Sequence, residues 1–209
     1  MRYSITQKGA SRSFPKSDAF LGSASADGDV AIYLNAPLVA DDGKTAILVE
    51  LDTECLGVHT GQQSGEEGSN VLGFTRYRNG DDPPSKLVEL VRQPRTKDSA
   101  IAAARTVFEA AGLTVVVCSD QPGRIIDRLV RPKYNAALRF LDEGLATAKD
   151  MDLTCRLGLG YPDGPIERVE RGGLTHHHDV TRALFDAFGS AAYAPAPRAI
   201  VAKQREAKS

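Results

Sequence analysis

The chain has 209 residues, 42% of them hydrophobic and 25% charged, with a formal net charge of −1. That is enough apolar material for one large or two small packed domains, and the balanced charge gives no electrostatic footprint for nucleic acid or an anionic membrane. No apolar leader opens the chain and no apolar run is long enough to span a bilayer, so the expectation is a soluble, cytoplasmic protein whose three scattered cysteines, Cys55, Cys118 and Cys155, are reduced and buried.

Residues 1–28 are rich in Ser, Ala, Gly and Asp with little apolar periodicity, and read as a poorly ordered or irregular lead-in. Val30–Leu34 and Thr45–Leu51 are short apolar runs of strand type. Asp41, Asp42 and Gly43 form a turn between them, in which the glycine supplies a positive φ cheaply. Gly57–Ser69 has four glycines and no apolar cluster, which predicts a mobile loop. Val71–Phe74 and Leu87–Val91 are further strands, separated by the polar, proline-containing stretch Arg76–Ser85.

Thr96 is placed to cap a helix over Lys97–Ala111, with Gly112 as its stop. Leu113–Cys118 is an unbroken β-rich run that predicts a strand covered on both faces. Strand, helix, strand in that order is a βαβ unit, so residues 1–118 read as an α/β layer. After Asp120 the pattern is helical only. Ile125, Leu129, Ala136 and Phe140 recur at helical spacing through Arg124–Glu143, and Pro132 should kink that helix. Thr147 with Asp150 reads as a capping pair for Ala148–Leu157. Two more helices, Asp163–Gly172 and Thr175–Phe188, are divided by Gly172 and Gly173. Strands first and helices after, with the change near Ser119, predict two domains, 1–118 and 119–209.

His176, His177 and His178 invite a metal reading, but successive helical residues point about 100° apart and do not converge on one ion. A solvent-exposed cluster is expected, and no metal site. His59 has no identifiable partner and reads as a polar loop residue. Ser119 and Asp120 do not form a nucleophile elbow, since G-x-S-x-G is absent. Arg124, Arg128, Arg131, Lys133 and Arg139 read as a solvated basic face, with phosphate contacts as the alternative.

Several segments carry a resemblance. Gly158, Gly160, Pro162, Gly164 and Pro165 fit G-x-G-x-P-x-G-P. Residues 122–128 are similar to P-G-F-I-x-N-R, and Asn135, Ala136 and Ala137 to N-E-A, followed by Glu143 and Gly144. Lys86–Val91 is similar to K-L-V-E-V-V, and Tyr193 with Pro195 to a closing Tyr-x-Pro. In this order they resemble the 3-hydroxyacyl-CoA dehydrogenases, NAD-dependent enzymes of β-oxidation. The resemblance implies a fold of α+β class, a reduced Rossmann-like α/β domain followed by an all-helical dimerisation-type domain.

In that family a His serves as base, a Glu orients it, and a Ser and an Asn hydrogen-bond substrate. Matched by motif, the His position holds Thr75, the Glu is kept as Glu89, the Ser position holds Glu54 and the Asn position Asp127. Threonine cannot act as a base near neutral pH. Glu89 would need burial to lift it well above about 4.3, and the bland alternative is a strand-edge carboxylate paired with Lys86 or Arg92. Three carboxylates at one site would also repel an anionic CoA ester. A dinucleotide site needs G-x-G-x-x-G directly after a first strand, and nothing matches; Gly158 and Gly160 follow a helix instead. The expectation is therefore a non-catalytic half that binds no cofactor alone. It would dimerise, pair with a full-length dehydrogenase chain, or take an acyl-CoA ligand. The alternative is an active oxidoreductase whose NAD site a partner chain completes.

Overall fold

A computed structural model describes residues 1–61 and 70–208. The chain forms two compact units, Met1–Arg78 with Pro83–Arg124, and Asn79–Asp82 with Ile125–Ser209. The sequence pattern changes at Ser119, whereas the packing changes after Arg124 and takes residues 79–82 into the helical unit.

The first unit is built on one sheet, in the order β1 (Tyr3–Gln7), β2 (Val30–Leu34), β3 (Ala46–Glu50), β4 (Val71–Thr75), β5 (Leu87–Arg92) and β6 (Thr114–Ser119). Strands β1 to β4 are parallel, β5 runs antiparallel to β4, and β6 runs parallel to β5. Alternation sorts the side chains. Ile32, Leu48, Phe74 and Leu90 face helix α3 (Asp98–Ala110) through its Ala100, Ala104 and Phe108. Ile47, Val49, Val71 and Val91 face the other way, under Leu51 and Leu56. All five residues of β2 are buried, as a strand covered on both faces requires.

Residues 1–28 are not an irregular lead-in. They contain β1 and a short helix α1 (Ala19–Gly22), and Phe14 is fully buried. Phe14 stacks on Phe20 at 4.3 Å between ring centroids and Phe20 on Tyr3 at 4.6 Å, while Phe108 of α3 closes the group. Three aromatics at irregular spacing carry no period, so their burial is a tertiary fact that pattern reading misses. Gly43 lies outside the positive-φ region, and the strands on either side of its turn are parallel, not a hairpin. Within Gly57–Ser69, Gly57–Thr60 is a helical turn, α2; residues 62–69 lie outside the described residues. Thr96 does not cap α3, whose N-cap is Lys97; its hydroxyl accepts from Gln93 N instead. Gly112 does stop that helix, at φ +76°. Strand β6 is an edge strand with Val116 partly exposed, so it is not covered on both faces.

The second unit contains α4 (Ile126–Asp142), α5 (Ala148–Leu159), α6 (Pro165–Gly172), α7 (Leu174–Phe188), a 3-10 turn (Ala191–Tyr193) and α8 (Pro197–Glu206). Thr147 caps α5 as expected, accepting from Asp150 N at 3.2 Å. Tyr134, Ala137 and Leu138 of α4 pack on Ile166, Val169 and Ala196. The residues that recur at helical spacing do not form the buried face: Leu129 is 71% exposed, and Ile125 and Phe140 are exposed too. The buried face is set by Arg131, Tyr134, Asn135 and Leu138, so polar residues occupy positions that hydropathy assigns to solvent.

Candidate functional site

Thr75 closes β4 and lies directly opposite Glu89 of β5 in the antiparallel register. Opposed residues in such a pair share a face, with Cβ atoms about 5 Å apart. Both point away from α3, on the side of Val91 and Cys118. Glu89 is only 2% exposed and sits on an internal strand, so it is not a strand-edge carboxylate. Its charge is felt nearby: burial first, then Glu89, pushes the Cys118 thiol up to about 11. A thiol held that high is a poor nucleophile.

Glu54 follows β3 and is turned to local work. Its carboxylate accepts from Asp52 N at 3.1 Å and meets His59 Nε2 at 3.1 Å, so His59 has the partner that the sequence did not reveal. The Glu54 carbonyl accepts from Arg124 Nη1 at 2.8 Å. Asp120, directly after β6, accepts from Leu56 N and Gly57 N at 2.7 and 2.9 Å and from Gln93 Nε2 at 3.1 Å, which fastens the turn carrying Glu54 to the end of β6. Leu56 and Gly57 lie 64 and 63 residues from Asp120 in sequence, beyond the reach of local patterns.

Asp127 belongs to the second unit. Its carboxylate meets Arg131 Nε at 2.7 Å, one helical turn on, and Arg131 is buried. A carboxylate so paired is neutralised, which weakens the expected repulsion of an anionic ester. It is also acceptor-only and cannot donate the hydrogen bond that an amide offers. The histidine cluster is not solvent-exposed as a whole. His177 is fully buried, with Nε2 at 3.0 Å from Asn135 Oδ1 and Nδ1 at 3.5 Å from Arg131 Nη1. Asn135 is oriented by its own amide, which donates to Ala192 O at 3.0 Å. Burial, then Arg131, lowers His177 to about 3, so it is neutral. The basic residues are not one solvated face either: Arg124 and Arg131 are buried, Arg139 donates to Ala194 O, and Lys133 lies over the Tyr161 ring at 4.1 Å. Among the described residues no group of three or more His, Cys, Asp or Glu could hold a metal ion, and no helix is long and apolar enough to cross a membrane.

The first unit can be tested for a dinucleotide. Open parallel sheets bind nucleotides outside the carboxyl ends of the strands, where the strand order reverses. Here each strand lies next to its predecessor, so β1 to β4 have no such reversal. The amide and hydroxyl donors after the strands are also taken by protein carboxylates. Ser11 Oγ and Ser13 N, after β1, both donate to Glu50 Oε1 at 2.8 Å. Phe20 N of α1 donates to Asp18, which is paired with Arg76 at 2.8 Å. Leu56 N and Gly57 N are held by Asp120. A pyrophosphate would have to displace three resident anions, so these residues do not fit the group.

Residues 123–208 match the 3-hydroxyacyl-CoA dehydrogenase, C-terminal domain. Human mitochondrial hydroxyacyl-coenzyme A dehydrogenase is 36% identical over 104 residues, 50% of this chain and 32% of that protein. The 3-hydroxybutyryl-CoA dehydrogenase of Bradyrhizobium diazoefficiens is 30% identical over 115 residues, 55% of this chain and 39% of that one. The matches thus span only about a third to two fifths of these relatives. The crystal structure of M. tuberculosis FadB2 superposes with a TM-score of 0.72 at 24% identity, covering 88% of this chain and 67% of that one, a likeness of fold.

Proposed function

We propose, from the match of residues 123–208 to the 3-hydroxyacyl-CoA dehydrogenase C-terminal domain, that the chain is a member of that family and serves acyl-CoA degradation in the cytoplasm as a non-catalytic half that dimerises or binds an acyl-CoA. The NAD that the family uses is, on this reading, not held by this chain alone. One observation carries the reading: the carboxyl ends of four parallel strands lack a reversal of order, and the donors there are bound to Glu50, Asp18 and Asp120. The base position points the same way, since Thr75 faces Glu89 where an imidazole would be needed to take a proton.

The test is a titration of the chain with NADH and, separately, with acetoacetyl-CoA, followed by a turnover assay with both. Acetoacetyl-CoA binding without NADH binding, and no turnover, is the expected result. Saturable NADH binding by the isolated chain would sink the proposal. The retained Glu89, buried and opposite Thr75, favours a second reading in which a partner chain supplies both nucleotide site and base. Turnover that appears only on mixing with a full-length dehydrogenase, and exceeds what the latter gives alone, would support it.

A further inference from the structure

The turn after β1 is built as an anion cradle and is already filled. Ser11 is 5% exposed and Ser13 1% exposed, yet the Ser11 hydroxyl and the Ser13 amide both point at one oxygen, Glu50 Oε1, each at 2.8 Å. The turn is held in this shape independently of Glu50. Phe14 N donates to Ser11 Oγ at 2.8 Å, and Arg76 donates through its backbone N to Ser13 Oγ and through Nη1 to Ser13 O. Gly9, at φ +83°, lets the chain leave β1 sharply enough to present these donors. Arg12, between the two serines, adds a guanidinium that donates to Arg78 O at 3.0 Å. Glu50 is the last residue of β3, so its carboxylate stands at the carboxyl edge of the parallel strands, where α/β sheets bind anionic ligands. Hydroxyl and amide donors converging at 2.8 Å on a carboxylate would serve a phosphate oxygen equally well.

We propose that Glu50 is a resident anion: it occupies the phosphate position of this turn, keeps free phosphates and carboxylates out, and leaves a working anion site when it is removed. The inference rests on the reading that this chain does not hold NAD, and explains it at the level of one side chain.

The experiment compares wild type with Glu50→Ala and Glu50→Gln by thermal unfolding and by phosphorus NMR titration, with inorganic phosphate as probe. At phosphate about ten times the dissociation constant, Glu50→Ala should gain roughly 3–5 °C in Tm, while wild type moves by less than about 1 °C. Adding Ser11→Ala to Glu50→Ala should abolish the gain, which ties it to this turn. Should Glu50→Ala not fold, Glu50→Ser, whose short side chain cannot reach the two donors, is read in its place, whereas Glu50→Gln keeps an oxygen in the cradle and should gain no more than wild type. A gain in wild type equal to that of Glu50→Ala or Glu50→Ser would overturn the proposal, as would no gain in either of these. NADH titration of wild type is run alongside. Binding there would defeat the wider reading, whereas phosphate-blind Glu50→Ala and Glu50→Ser with no NADH binding to wild type would defeat only the role given to Glu50.

Discussion

His177 shows how much one side chain contributes to the helical unit. Its Nε2–H donates to Asn135 Oδ1, which also accepts from Ala196 N at 3.3 Å, so a neutral imidazole links α7, α4 and the start of α8. In an unfolded chain a histidine titrates near 6.5, whereas here it titrates near 3. Unfolding therefore takes up a proton between those values. The stability involved is complete above pH 6.5 and is lost as the pH falls toward 3, at up to about 1.4 kcal/mol per pH unit. Urea unfolding at pH 6.5, 5.5 and 4.5 should give a steeper loss for wild type than for His177→Gln, which has no proton to gain; parallel lines would refute the assignment. Asp127 is the neighbouring case. Asp127→Asn leaves Arg131 buried without its counter-charge and should cost about 3 kcal/mol, with the midpoint of chemical unfolding as the measure.

Among the elements, the N-terminal strand and helix carry a clear expectation. Phe14→Ala empties a fully buried site among Phe20, Phe74 and Phe108 and should cost about 3–5 kcal/mol. A cost below about 1 kcal/mol in a urea titration would mean that residues 1–28 contribute nothing to the core. Helix α6 gives a second case. Asp152, on α5, accepts from Ile166 N and Glu167 N at 2.8 and 3.0 Å, and a Cβ on Gly164 would overlap that carboxylate. Gly164→Ala should thus unseat the cap and cost about 2–3 kcal/mol, although its φ of −77° suits any residue.

These elements also mark what the sequence makes legible. Strands β2 to β5 and helices α3 to α7 follow from apolar runs, caps such as Thr147 and stops such as Gly112, because local chemistry decides them. Strand β1 and helix α1 do not, since isolated aromatics become a core only once the sheet brings them together. The buried face of α4 is not legible for the same reason: Arg131, Asn135 and His177 are buried as a polar network, and hydropathy counts each of them as solvent-facing. At the site, Thr75 and Glu89, matched through separate motifs, lie opposite each other across the sheet. The roles of Glu50 and Asp120 were invisible, because each binds donors from distant segments.

For the molecule as a whole, the question is what the outward apolar faces of the helical unit are for. Helix α4, with Ile125 at its N-cap, presents Ile125, Leu129 and Phe140 to solvent, and α5 presents Leu153 and Leu157, the latter 80% exposed. The spacings of four, or of four plus seven, keep each set on one side of its helix. Scattered apolar residues need no explanation, but ordered stripes on two helices of one unit are the kind of surface that a partner covers. A second copy of the chain is the occupant that the proposed dimerising role requires, and a stable pairing has to bury about 800 Å² per copy. Leu129→Glu together with Leu157→Glu places two charges on this surface without touching the core around Tyr134 and Leu138. Analytical ultracentrifugation should then show wild type as a dimer and the double variant as a monomer, with unchanged circular dichroism. Wild type that sediments as a monomer at its highest soluble concentration would remove self-association, and leave the stripes to a different chain.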